Sequence, residues 1–256
     1  MRIGLIGSGN MARALARGWG EPVLCSDSGS GRAAELAAEL GGRAASNVEV
    51  AEESDLVVLC HKPYQFQEVA KEIAGHVTMV ASVLGSVSAG DLFQTYRRVP
   101  TFRLMPNTPV EVRRGVICYS PLREIPGDRV IDREREREVL ELFGRLGRVI
   151  TIEERLLGAA TAVMGVGPAY QALLAEAQVD AAVRHGLKPA LASQLVTETM
   201  AGTAALLEAR HYDTLTIRRE VTSPGGSTAR GLDALERAGV RGAFQAAIDR
   251  VCEVSN

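Results

Sequence analysis

The run Ile3-Gly4-Leu5-Ile6-Gly7-Ser8-Gly9-Asn10-Met11-Ala12 decides the fold. Ile3 to Ile6 is a short apolar stretch suited to a buried strand, and Met11 to Trp19 carries the apolar spacing of a helix. Between them lies the spacing G-x-G-x-x-A. Gly7 permits a tight turn, Gly9 lets a phosphate approach the backbone, and Ala12 lets the helix lie close to the sheet. The free N–H groups at the start of that helix then face the anion. Alone, the spacing is also that of a plain strand-to-helix turn. Its flanking elements, and Asp27 closing the next strand about 20 residues on, point to a dinucleotide site.

Outward from that turn, short apolar runs alternate with helical patterns, the mark of βαβ units around a parallel sheet. Val23-Leu24-Cys25 reads as a second strand, followed by a helix near Arg32 to Leu40, and Asp55 to Cys60 as a third strand covered on both faces. Val77 to Val83, Thr101 to Leu104 and Val116 to Tyr119 read as further strands. The charged run Asp132 to Glu138 reads as a solvated helix face.

Past Thr151 the strand patterns stop. Helices are predicted over Glu153 to Val163, Pro168 to Arg184 and Pro189 to Ala209, with two more after Thr228. Pro168 and Pro189 fit first helical turns, and Gly186 fits the residue just past a helix end. Several of these helices are apolar on more than one face, which requires two buried sides and points to a partner subunit. The expected fold is α/β: a Rossmann-type, doubly wound sheet over residues 1–152, then an all-helical domain over residues 153–256.

The chain has 29 Lys and Arg against 31 Asp and Glu, a formal net charge of -2, and 46% hydrophobic residues. That balance gives no drive toward nucleic acid or an anionic membrane. No run approaches the ~20 apolar residues that cross a bilayer, and no leader peptide is read at the N-terminus. Cys25, Cys60, Cys118 and Cys252 are too far apart in sequence for a disulfide framework or a metal site, so free thiols in a reducing cytoplasm are expected.

Asp27 bears on the cofactor. A carboxylate there accepts the ribose hydroxyls of NADH and repels the 2′-phosphate of NADPH, although Ser26-Asp27-Ser28-Gly29 is also good turn chemistry. The choice leans toward NADH, with NADPH open. Two loops look wrong for mere packing. Met105-Pro106-Asn107-Thr108-Pro109 stiffens the carboxyl edge of the sheet. Val221-Thr222-Ser223-Pro224-Gly225-Gly226-Ser227-Thr228 is a polar bend running into a helix that Ser227 or Thr228 would cap, leaving N–H groups for a carboxylate.

Together these segments resemble pyrroline-5-carboxylate reductase. The resemblance also takes in Lys62-Pro63, Gly167-Pro168-Ala169-Tyr170 and Asp180-Ala181-Ala182-Val183, and Thr222 to Thr228 is its most specific element. It implies a Rossmann domain followed by a helical dimerisation domain, and a homodimer that often assembles further. The implied reaction is NAD(P)H-dependent reduction of a cyclic imine carboxylate to L-proline, a step of proline biosynthesis. Carried onto this sequence, Gly7, Ser8, Gly9, Asn10 and Met11 hold the pyrophosphate and Asn47 lies near the adenosine ribose. His61, Lys62 and Pro63 flank the cofactor, and Asn107 lies near the nicotinamide. Ser223, Gly226, Ser227 and Thr228 form the substrate loop, with Thr228 at the imine nitrogen as the catalytic residue and no metal needed. Two other readings stay open: reduction of another cyclic imine such as the six-membered homologue, and a non-catalytic dinucleotide sensor. A sensor would be expected to lose the substrate loop, which is intact here.

Overall fold

The computed structural model describes residues 1–121 and 133–255. Its contacts divide the chain into two compact units, Met1–Pro168 and Ala169–Val254.

The first unit is built on eight strands: β1 (Ile3–Ile6), β2 (Leu24–Ser26), β3 (Arg43–Ala44), β4 (Leu56–Leu59), β5 (Val80–Ser82), β6 (Thr101–Pro106), β7 (Gly115–Ser120) and β8 (Gly147–Thr151). They lie in the order β3-β2-β1-β4-β5-β6-β7-β8. All neighbours run parallel except β6 and β7, which pair antiparallel with Met105 opposite Cys118. Helices α1 (Asn10–Trp19), α2 (Arg32–Leu40), α3 (Asn47–Glu53), α4 (Phe66–Ile73) and α5 (Ala89–Thr95) connect the parallel strands, and α6 (Arg133–Gly144) precedes β8. Asp132, at the head of the charged run, lies outside the described residues.

Alternation along each strand feeds two separate cores, as expected for a sheet covered on both faces. Leu5, Val58, Ala81 and Leu104 join Leu15, Trp19 and Phe143 on one face. Ile6, Val57, Leu59 and Val80 join Phe66, Ile73, Leu92 and Tyr96 on the other. Trp19 anchors the first core: its ring meets Phe143 edge-on at 5.5 Å, and its indole N–H donates to the Leu142 carbonyl at 3.1 Å.

Two strands were not expected from the sequence. β3 has only two residues, both exposed, and β8 is an edge strand whose side chains are all partly or fully exposed, so neither shows the apolar run that marks a buried strand. The expected strand Val77 to Val83 contracts to Val80–Ser82. The sequence reading separated the domains at residue 152, whereas the residues just beyond pack on the sheet: Leu157, of α7 (Leu157–Ala160), Ala160 and Met164 pack with Met105 and Cys118. A turn of π-helix, Thr161–Gly165, follows.

The second unit takes up α8 (Gly167–Arg184), α9 (Pro189–Ala209), α10 (Thr214–Glu220), α11 (Ser227–Arg237) and α12 (Val240–Ser255). Gly186, at φ 95, ends α8 as read from sequence, and Asp213 caps α10 by accepting from Leu215 and Thr216 N–H. Tyr170 and Phe244 meet edge-on at 6.3 Å. Along α8 and α9 only Ala192 is buried, and Leu173, Leu191, Leu195 and Leu206 stand exposed. The helical stretch Glu154–Arg184 is long and apolar enough, by length and composition, to cross a membrane. The sequence reading did not expect this, because alanines raise its hydropathy without a continuous run of large apolar side chains.

Candidate functional site

The carboxyl ends of β1, β2, β4 and β5 open into a cleft of about 640 Å³. This is where ligands bind in sheets of this type, at the point where successive strands depart to opposite sides of β1. Gly7, Ser8, Gly9, Asn10, Met11, Asp27, Asn47, His61, Lys62 and Pro63 all line it.

The turn after β1 is shaped for an anion. Gly7 sits at φ 97, where side chains are strained, and a Cβ there would collide with the backbone of His61. The Ser8 hydroxyl donates to the Ser26 carbonyl at 2.9 Å, fastening the turn to β2. Gly9 is the N-cap of α1 with extended backbone; no side chain caps the helix and its first turn holds no acid. A Cβ on Gly9 would meet nothing within 4 Å, so the backbone there is open to an approaching phosphate. These residues fit a dinucleotide pyrophosphate.

Around the rest of the cleft, several side chains are already engaged. Asp27 accepts from three backbone N–H groups: Gly29 at 2.7 Å and Ser30 at 2.9 Å on Oδ1, and Ala33 at 2.7 Å on Oδ2. These bonds, that from Ala33 foremost, hold its carboxyl below the usual aspartate range. Asp27 thus organises the loop into α2 while its side chain faces the cleft. Asn47 accepts from the Ser26 hydroxyl at 2.6 Å and donates to Glu72 at 2.8 Å. His61 Nδ1 lies 2.9 Å from the Lys62 carbonyl, an arrangement that makes Nδ1 the donor and Nε2 an acceptor. Burial lowers the His61 pKa, favouring this neutral form, and Nε2 has no hydrogen-bond partner among the described residues. Burial also pushes the neighbouring Cys60 thiol up to about 12, so it stays protonated at neutral pH.

Asn107 is not among the residues lining the cleft. It is buried, its side-chain oxygen accepts from Val116 N–H at 2.8 Å, and its amide nitrogen donates to the Met164 carbonyl at 3.0 Å. The amide joins the β6–β7 reversal to the π turn. Arg32, which the sequence offers as a cation that could offset the Asp27 charge at the ribose, lines the cleft, and so do three groups that the sequence reading did not single out: Ser28 and Ser30 beside Asp27, Tyr64 after Pro63, and Val83-Leu84-Gly85 after β5. Tyr64 is 84% exposed. A glycine within three residues of a strand end was the available signal for Gly85.

The second candidate loop belongs to the helical unit. Gly226, not Ser227 or Thr228, is the N-cap of α11, again with extended backbone, no side-chain cap and no acid in the first turn. Ser227 and Thr228 are the first two helical residues. Their hydroxyls play no capping part because Gly226 already supplies the turn, its N–H donating to the Ser223 carbonyl at 3.1 Å. A Cβ on Gly226 would run into the Ser223 hydroxyl, so the bend accepts only glycine there without moving. Thr222 ties the bend back to α10, its hydroxyl donating to the Arg218 carbonyl at 2.5 Å.

Comparison with known proteins adds to this geometry. Residues 154–256 match the model for pyrroline-5-carboxylate reductase dimerisation, and residues 2–90 match that for NADP oxidoreductase, coenzyme F420-dependent. The chain is 34% identical to a pyrroline-5-carboxylate reductase of Thermus thermophilus over 97% of this chain and 95% of that one. It is 31% identical to that of Aquifex aeolicus over 99% and 96%. Among solved structures, 1-pyrroline-5-carboxylate reductase from Streptococcus pyogenes matches with a TM-score of 0.86 at 29% identity, over 100% of this chain and 98% of that one. The Plasmodium falciparum pyrroline carboxylate reductase with NADP bound matches at 0.84 and 26% identity, over 100% and 97%.

Proposed function

The chain belongs to the pyrroline-5-carboxylate reductase family, and on that premise we propose how its own residues carry out the reduction. The protein is an oxidoreductase of proline biosynthesis: it reduces L-1-pyrroline-5-carboxylate to L-proline with NAD(P)H. It works as a homodimer through its helical domain, which accounts for the apolar α8 and α9 faces that find little cover within one chain.

One observation carries the assignment of residues. The helix starts at Gly9 and Gly226 are capped by glycine, without a side-chain cap and without an acid in the first turn, unlike the glycine-capped start at Gly31, where Glu35 lies in the first turn. The reaction brings together two anions, a pyrophosphate and a ring carboxylate, and an uncapped helix start suits each. We assign Gly7 to Met11 to the pyrophosphate, Asp27 and Asn47 to the adenosine ribose, and His61, Lys62 and Pro63 to the flank of the cofactor. Asn107 holds the frame at the nicotinamide end. Ser223, Gly226, Ser227 and Thr228 take the substrate, its carboxylate on the backbone N–H groups at the start of α11.

The reduced nicotinamide supplies the hydride. The protonated imine is already an electrophile whose charge the hydride neutralises, so the protein's task is mainly positioning. Thr228 donates or accepts a hydrogen bond at the ring nitrogen and orders it, while the α11 start fixes the carboxylate. We propose a cytoplasmic location, a reading supported by four free cysteines, which suit a reducing compartment.

The test is oxidation of NADPH and of NADH with pyrroline-5-carboxylate and, separately, with its six-membered homologue. Turnover with the five-membered ring is expected to dominate. Preference for the larger ring reassigns the substrate, and cofactor binding without turnover of either imine leaves a sensor.

A further inference from the structure

Arg103 lies in the middle of β6 yet is buried, with only 7% of its surface exposed. Its strand neighbours are Ser82 on β5 and Ser120 on β7, so three polar residues stand side by side across an otherwise apolar sheet. Guanidinium burial of this degree carries a heavy desolvation penalty, which also lowers its pKa. Such a group is tolerated only where it is held by partners.

The partners converge on one loop, the link from β5 to α5: one is its Gly85, and the other is Glu154, just past β8, which itself holds the end of that loop. Arg103 Nη2 donates to the Gly85 carbonyl at 3.2 Å. Its Nε lies 3.4 Å from Glu154 Oε1, and the same carboxylate oxygen accepts from Ala89 N–H, the first residue of α5, at 2.7 Å. The Ser82 hydroxyl accepts from Leu84 N–H at 3.3 Å. The loop is therefore pinned at its start by Ser82, at its middle by Arg103 and at its end by Glu154. Nη1 and Nε of Arg103 have no hydrogen-bond partner among the described residues, so the arrangement is not the most stable use of a buried guanidinium.

What the loop does follows from the sheet order. The glycine turn after β1 holds the pyrophosphate and β2 and β3 lie to the adenosine side, so the cleft wall over β4 and β5 falls to the nicotinamide. Val83, Leu84 and Gly85 form that wall. We infer that Arg103 is a positioning residue for hydride transfer: with Glu154 it clamps the Val83–Gly85 wall in the place that sets where the nicotinamide lies. The inference rests on the reading that this cleft takes NAD(P)H.

The experiment compares Arg103→Met, Arg103→Lys and Glu154→Gln with the unsubstituted protein. Glu154→Gln keeps an oxygen for Ala89 N–H and removes only the charge facing Arg103, so it stays informative if Arg103→Met does not fold. Three quantities are read: kcat with saturating imine, the NADPH dissociation constant from cofactor fluorescence, and the inhibition constant of 2′-phospho-ADP-ribose, which lacks the nicotinamide. Binding of ADP-ribose or of its 2′-phosphate by the unsubstituted protein checks the cleft reading separately; absence of both overturns that reading, and the inference with it, and where only ADP-ribose binds, NADH and ADP-ribose replace NADPH and 2′-phospho-ADP-ribose in the measurements.

Arg103→Met is expected to lower kcat by about 10- to 100-fold, the effect of misplacing a reacting group by an ångström or less. It is also expected to weaken NADPH several-fold and leave 2′-phospho-ADP-ribose within about twofold. Glu154→Gln should lose less in the same pattern, and Arg103→Lys, which restores the charge without the planar fork, should fall between unsubstituted and Met. Equal weakening of NADPH and 2′-phospho-ADP-ribose, or a lowered melting temperature with kcat unchanged in both Arg103→Met and Glu154→Gln, overturns the inference and leaves a structural ion pair.

Discussion

Replacing each of the two turn glycines by alanine separates folding from cofactor binding. At Gly9 the backbone has φ -77 and ψ -173, a conformation that alanine adopts freely, and the added methyl group meets nothing within 4 Å. Gly9→Ala is therefore expected to leave stability unchanged or to raise it by about 0.4–1 kcal/mol, through a stiffer unfolded chain. The same methyl group projects where a phosphate oxygen must approach. Losing one charge-assisted N–H bond costs about 1.5–3 kcal/mol, or roughly a 10- to 150-fold higher KM for the cofactor. At saturating cofactor kcat should be nearly preserved. Gly7→Ala behaves in the opposite way: its φ of 97 and the His61 backbone in the path of a Cβ make it a folding lesion. The left-handed strain alone is about 1–2 kcal/mol, before the collision is relieved. Thermal melts of the free proteins and cofactor titrations read both effects. A Gly9→Ala protein with unaltered cofactor KM, or one that melts as low as Gly7→Ala, refutes the placement of the pyrophosphate on this turn.

Asp27→Ser should shift the kcat/KM ratio toward NADPH, and it should also lower stability by about 1 kcal/mol through loss of its capping of the loop into α2; an unmoved ratio removes the ribose role and leaves the loop role. Because the folded state holds the Asp27 carboxyl below its unfolded value, its contribution is present above about pH 4 and disappears as pH falls through the lower folded value. Asp27→Asn should flatten that acid limb in urea melts, and an identical limb contradicts the hydrogen-bond account. Thr228→Val should cut turnover about 10- to 100-fold while cofactor affinity stays within about twofold, as for a group acting only at the reacting nitrogen; equal losses mean that the bend is merely structural. Trp19→Phe, which strands the Leu142 carbonyl inside the core, should destabilise by about 1–3 kcal/mol in denaturant melts without changing cofactor KM.

The glycine turn was legible because everything that defines it is local: an apolar strand, two glycines at fixed spacing and a helix that starts at once. The helical half was legible from period and from proline and glycine placement, so Pro189 and Gly186 stand where the sequence puts them. Asp27 was only half legible. Its type and position fit both a ribose contact and a turn, and only coordinates reveal three N–H groups converging on the carboxylate. Arg103 was not legible at all. An arginine inside an apolar run reads as an interruption, and the Gly85 carbonyl and the Glu154 carboxylate that hold it come from distant parts of the chain. The α11 cap was misjudged for a different reason: Ser227 and Thr228 are good capping types, but Gly226 before them already has the extended backbone of a cap, which residue type alone does not report.

Asn107 restricts how this sequence can drift. Its oxygen accepts a hydrogen bond from one neighbour and its nitrogen donates one to another, so the two halves of the amide are not interchangeable. Aspartate has the same size and shape and lies one nucleotide away in the codon table, yet it offers only acceptors and would set a carboxylate against the Met164 carbonyl. A change that most surface asparagines absorb silently is closed at this position, and the same holds for slow hydrolysis of the amide in ageing protein. The joint between the reversed strand and the π turn is thereby guarded by proton direction and not by bulk.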